Sequence, residues 1–164
     1  MTSRQYWKSL DFDFAETYSL LRGETGFHFY NQIQEKSRKE PDQKKRDELL
    51  SLSIRGSIDL LKQQGIYHPT AVKTNVFARK SREVEQLSQI LQTEFIEQSL
   101  WMCGKTFRDA IVFYKGGKIV SHINICLSCH WIETCKEVSI DTDDRVFPKL
   151  REFFTAIGHP VAEN

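Results

Sequence analysis

The chain has 164 residues, 40% of them apolar, with 23 basic and 22 acidic side chains and a formal net charge of +1. That length and apolar content suit a single domain burying roughly 70% of its unfolded surface, globular rather than disordered. The balanced charge supplies no global field for nucleic acid or an anionic membrane, and no run approaches the roughly 18 apolar residues of a membrane span.

The first sixteen residues, MTSRQYWKSLDFDFAE, lack the apolar stretch of an export signal, so the chain is read as cytoplasmic. Residues 1–35 carry two short helical candidates. Phe14, Tyr18, Leu20 and Leu21 mark the first, with Gly23 as its stop, and Phe29, Tyr30 and Ile33 recur at helical spacing in the second. Residues 35–48 hold six basic and five acidic side chains around Pro41, which is the composition of a solvated turn and helix start. From Asp42 to Gln64, Leu50, Ile54, Ile58 and Leu61 fall on one face of a helix, with Gly65 as its cap. Gly56 within it points to close packing.

Ala71 to Ala78 reads as a strand, and Ser81 caps a helix striped by Val84, Leu87, Ile90 and Leu91 to about Thr93. The basic cluster Arg79, Lys80 and Arg82 before that helix reads as a solvated loop. Ile96 to Cys103 is expected to be a strand leading into a hairpin, in which Asp109–Tyr114 and Lys118–Leu127 flank a Gly116-Gly117 turn. Val138 to Ile140 suits one more short strand. A last helix, about Arg145 to Ile157, tolerates Pro148 in its first turn and ends at Gly158 and Pro160. The expected fold is α+β: an antiparallel sheet of about four strands with helices packed on one face, residues 1–66 mainly helical and 70–164 α+β around the hairpin 109–127.

With Gly116 and Gly117 as the turn, hairpin partners sum to 233, so Ile111 faces His122, Asp109 faces Asn124 and Phe107 faces Cys126. Ile119, Ser121, Ile123 and Ile125 with Tyr114, Val112 and Ala110 then form the core face. Phe113, Ile111, His122, Asn124, Asp109 and Cys126 form the other, where a site would lie.

All four cysteines fall within Cys103 to Cys135. In a reducing compartment this favours a metal site, redox chemistry or buried thiols over a disulfide framework. The same register brings Cys103 near Cys126 and Cys129, and zinc needs four tetrahedral thiolate or imidazole ligands. The candidate set is Cys103, Cys126, Cys129 and Cys135, with His130 or His122 as alternatives for the fourth position. A reactive C-x-x-C pair normally sits at a helix N-terminus, whereas the residues after Cys129 look like a strand. Cys126 to His130 spells C-x-x-C-H, the haem attachment motif, but a strand end without an export signal is a poor place for haem. Cys126, His122 and Asp109 do not make a nucleophile triad, because four strand residues separate Cys126 from His122 by about 13 Å. His28, His68 and His159 lie near turns or termini and carry no spacing argument. Trp7, Trp101 and Trp131 read as core or edge packing.

The segments W-M-C, R-D-A-I-V-F-Y, G-G-K-I-V and I-N-I-C-L-S-C, followed by a helix ending I-G-H-P, resemble a loose group of uncharacterised bacterial proteins with a cysteine before this hairpin and a C-x-x-C at its end. The resemblance covers the last third to two fifths of the chain. It implies one recurring arrangement of Cys103, Cys126 and Cys129 and no activity, and it does not include Cys135 or His130. The expectation is a non-enzymatic protein-binding module, immunity-type or regulatory, with a possible structural zinc site. It binds another protein, and neither nucleic acid nor membrane. The alternative is an enzyme using the cysteine cluster for thiol redox or zinc-dependent hydrolysis.

Overall fold

The computed structural model describes residues 1–54, 61–62, 66–99, 106–134 and 138–161. Its helices are α1 (Ser3–Ser9), α2 (Gly23–Lys39), α3 (Gln43–Ile54), α4 (Arg82–Leu91) and α5 (Val146–Ala156). Its strands are β1 (Phe14–Ser19), β2 (Leu61–Lys62), β3 (Ile66–Tyr67), β4 (Val72–Ala78), β5 (Asp109–Lys115), β6 (Lys118–Cys126) and β7 (Trp131–Thr134). Five strands form one antiparallel sheet in the order β4-β1-β5-β6-β7, and β2 pairs with β3. The α+β class expected from sequence is the observed one.

Local chemistry explains the helix starts. Thr2 and Gln5 make a reciprocal capping box for α1, the Gln5 amide donating to Thr2 Oγ1 at 3.2 Å and the Thr2 amide to Gln5 Oε1 at 2.9 Å. Ser81 caps α4 through the Val84 amide, as its sequence position suggested. Asp42 accepts from the Lys45 amide at the start of α3. Pro148 sits in the first turn of α5, and Gly158 ends that helix at φ +71°.

One face of the sheet carries the main core. Tyr6 and Trp7 of α1, Val84, Leu87 and Leu91 of α4, and Val146, Phe147, Leu150, Phe153 and Phe154 of α5 pack on Ala15, Ile111, Phe113, Ile123, Ile125 and Ile132. A smaller cluster on the opposite face joins Tyr18, Leu20, Ala110 and Val112, with Tyr67 and Tyr114 against it.

Five local expectations differ from the structure. The stretch from Phe14 to Ser19 is a strand at the second position of the sheet, with Ala15 to Ser19 buried. Burial on both faces removes the alternation that would betray a strand. Gly23, read as a stop, opens α2 at φ +59°. The helix expected from Asp42 to Gln64 gives way to strand β2 at Leu61–Lys62; Gly56, Ile58 and Gly65 lie outside the described residues. Residues 96–99 are irregular rather than extended into a sheet, and Val138 to Ile140 contributes only a bridge between Ser139 and Glu133.

The hairpin turn lies where Gly116-Gly117 placed it, both glycines having positive φ, but its register slips. Tyr114 still opposes Ile119, and then a bulge makes Phe113 face Ser121, Val112 face His122, Ile111 face Ile123, Ala110 face Asn124 and Asp109 face Ile125. The extra residue on β6 is Val120. One inserted residue exchanges the faces of everything beyond it. Ile111 and Phe113 therefore join Ile123 and Ile125 in the main core, while Val112 and Ala110 lie with His122 and Asn124 on the other side.

Candidate functional site

The bulge separates the residues that sequence placed together. His122, Asn124 and Cys126 remain on one face, whereas Asp109 lies with Ile111 and Ile125 on the helix-covered face. Cys126 is buried with Phe107 and Cys129, and Trp131 packs against them. Cys126 carries a free thiol, and its sulfur lies 3.5 Å from Ser128 Oγ. Cys129 is disulfide-bonded, which differs from the expectation of reduced thiols. Cys103 and Cys135 lie outside the described residues. Among the described residues no group of three or more His, Cys, Asp or Glu side chains converges as a metal cage would require.

His130 packs against the start of α5. Its backbone adopts φ +49°, and the turn lays the imidazole flat on Phe147 of α5, with centroids 4.5 Å apart and planes at 3°. Its Nδ1 lies 3.0 Å from Asp144 Oδ1, and Asp144 Oδ2 accepts from the Ser99 amide and hydroxyl. Burial works to raise the Asp144 carboxyl, but the Ser99 and His130 bonds outweigh it and hold it below the ordinary carboxylate range. Neighbouring Asp143 is also held well below the ordinary carboxylate range, first by Arg145 and then, against its burial, by the amides of Ile96, Arg145 and Glu97. This pair of acids fastens residues 96–99 to the start of α5.

A second constellation was not legible in sequence. Asp109, 1% exposed, accepts from Arg22 NH1 at 2.6 Å, Arg22 NH2 at 3.2 Å and His159 Nε2 at 2.8 Å. His159 Nδ1 lies 2.7 Å from Thr74 Oγ1, which is 2.7 Å from Thr17 Oγ1. The β1–β4 register shift leaves Thr74 as the inserted residue beside this imidazole. Carboxylate, imidazole and hydroxyl follow in the order of a nucleophile relay. Burial argues against that use: the His159 side chain has no exposure, and the Thr74 hydroxyl also bonds the Thr17 carbonyl. The arrangement is a tether joining the chain after α5 to β5, β4 and the turn before α2.

A third cluster lies on the opposite face. Glu16 Oε2 accepts from Tyr18 at 2.6 Å and Tyr114 at 2.9 Å, Oε1 accepts from Lys73 at 3.0 Å, and the Tyr67 and Tyr114 hydroxyls make a short contact. Burial opposes ionisation of Glu16, but the hydrogen bonds from Tyr18, Lys73 and Tyr114 prevail and lower its pKa. Burial, followed by hydrogen bonding to their neighbours, pushes the Tyr18 and Tyr114 phenols far above their ordinary value. They remain neutral donors throughout the physiological range.

Beside that cluster, one cross-strand row ends in open solvent. Ala78, Phe14, Tyr114 and Ile119 are successive partners on β4, β1, β5 and β6, and the Phe14 and Tyr114 rings stack at 4.6 Å. Val76 is 56% exposed, Val120 46% and Ile119 37%. Comparison with protein families, curated proteins and solved structures returns no match for this chain. Among the described residues no helix is long and apolar enough to cross a membrane.

Proposed function

We propose that the protein is an immunity-type or regulatory module that binds another protein through this end of the sheet. The observation that carries the reading is the row Ala78–Phe14–Tyr114–Ile119, with exposed Val76 and Val120 beside it. Apolar side chains gathered on a sheet face lose water when a partner covers them, and contiguous exposed patches of this kind mark interaction sites. A photo-crosslinking residue at Val76 or Ile119 should give one discrete heteromeric adduct in native extract. The same residue at Lys149, exposed on α5, should give none. Equal adducts at all three positions, or none at any, would sink the proposal.

A second reading, thiol exchange, is favoured by the free Cys126 thiol packed with disulfide-bonded Cys129. Attack of the Cys126 thiolate on Cys129 Sγ forms a Cys126–Cys129 disulfide and expels the former partner as a thiolate, which takes up the proton Cys126 lost. No external oxidant is consumed. Peptide mapping after rapid alkylation should find both pairings in the native chain and one in Cys126→Ser; a single pairing in both excludes exchange. The zinc set Cys103, Cys126, Cys129 and Cys135 requires Cys129 as a thiolate. Zinc uptake is therefore expected only from the reduced chain, at one ion per chain by elemental analysis.

A further inference from the structure

A cleft of about 670 Å³ separates the first two turns of α2 from residues 106–108, a volume within the range of small-molecule sites. Phe27 and Tyr30, three residues apart on the same helix, line it while remaining 65% and 47% exposed. Phe29, also in the lining, is held by an edge-on contact with His68 at 4.9 Å. Two large aromatic rings left in water beside a preformed cavity are a surface that a planar apolar group would cover.

Beside the polar Thr106 and the acidic Glu24, the cationic side chain in this lining is that of Arg108. Its backbone is fixed, because its carbonyl accepts from the Leu20 amide at 2.9 Å and from Arg22 NH1 at 2.7 Å. Its side-chain Nε is buried and, among the described residues, has no hydrogen-bond acceptor. A buried guanidinium donor lacking an acceptor is costly, and a carboxylate is the group whose two oxygens match Nε and a terminal nitrogen side by side. Glu24 shares the lining without bonding Arg108, so it adds negative charge near the cleft without satisfying that nitrogen.

The wall of the cleft is closely packed. Leu21 holds φ +51°, uncommon for a residue with a side chain, and Gly26 lies so close that an added Cβ would stand 2.5 Å from the Leu21 carbonyl carbon. This turn is also anchored by the Arg22–Asp109 ion pair. The cavity is thus built by the fold.

We infer that this cleft binds a small aromatic carboxylate, the carboxylate on Arg108 and the ring against Phe27 and Tyr30. The inference is independent of the sheet surface proposed above. Titration of the full chain with indole-3-acetate, phenylacetate and naphthalene-2-carboxylate, followed by calorimetry and by chemical shifts of Phe27 and Tyr30, tests it. At least one should saturate with a dissociation constant of about 1 mM or tighter, with indole and acetate each at least tenfold weaker. Arg108→Gln and Tyr30→Ala should each weaken binding about tenfold without lowering the melting temperature, and Phe95→Ala should leave binding unchanged. Glu24→Gln should tighten it by removing the opposing charge. No saturable binding by any of the three acids up to about 10 mM, equal binding of indole, or binding indifferent to Arg108→Gln would overturn the inference.

Discussion

Replacing Asp109 by asparagine should destabilise the fold by about 3–5 kcal/mol, the usual consequence of removing one partner from a buried ion pair. The carboxylate receives three hydrogen bonds, two from Arg22 and one from His159, and its side chain is 1% exposed against 10% for Arg22. Asparagine preserves the shape and one acceptor for Arg22. Its amide nitrogen would face His159 Nε2, which becomes an acceptor if the imidazole proton moves to Nδ1 and is donated to Thr74. Hydrogen-bond loss then amounts to about one bond, near 1 kcal/mol. The larger share comes from the Arg22 charge left without its counter-ion. For a chain of this size the total lowers the melting temperature by about 6–20 °C. Urea unfolding followed by tryptophan fluorescence reads the change, and Arg22→Met with Asp109→Asn should be less destabilising than the sum of the single variants. A loss under about 1 kcal/mol, or strict additivity of the pair, would refute the account of this site as a buried charge tether.

Acid should erode the fold through Glu16, Asp143 and Asp144, whose folded pKa values all lie below their ordinary range. Their contribution is full above the unfolded carboxylate pKa of about 4 and disappears as pH falls through the lower folded values. Melting temperature should therefore be nearly level from pH 6 to about 5 and decline below about 4, and Asp143→Asn should flatten that decline. An unchanged profile in Asp143→Asn would contradict the assignment. Gly26→Ala, which in an open helix would gain about 1 kcal/mol, should instead cost about 1–3 kcal/mol because the new Cβ meets Leu21 backbone at 2.5 Å. A raised melting temperature would show that the turn yields.

Sequence made the local features legible and hid those set by a single inserted residue or by distant partners. Gly116-Gly117 located the hairpin turn and Ser81 located a helix start, because each acts on its nearest neighbours. The bulge at Val120 carries no comparable signal, yet it put Asp109 and Ile111 on the face opposite His122. Phe14 to Ser19 was obscured by burial on both sides, where Glu16 is made tolerable by Tyr18 and Tyr114. His159 looked like a residue near a terminus. Its role depends on Asp109, fifty positions earlier, and on Thr74, eighty-five earlier, which no local pattern reports.

The position of β1 between β4 and β5 also bears on how the chain is made. Both of its sheet neighbours are encoded downstream, and β5 begins 95 residues after β1 begins (109 − 14). At a synthesis rate of about 5–20 residues per second, the Phe14–Ser19 segment waits roughly 5–20 s before its second neighbour exists. During that interval the ribosome-bound chain holds an aromatic segment with at least one unpaired side, and a chaperone acting on nascent chains would have its longest opportunity there. The β5–β6–β7 meander, by contrast, is assembled from consecutive segments and can pair as it emerges.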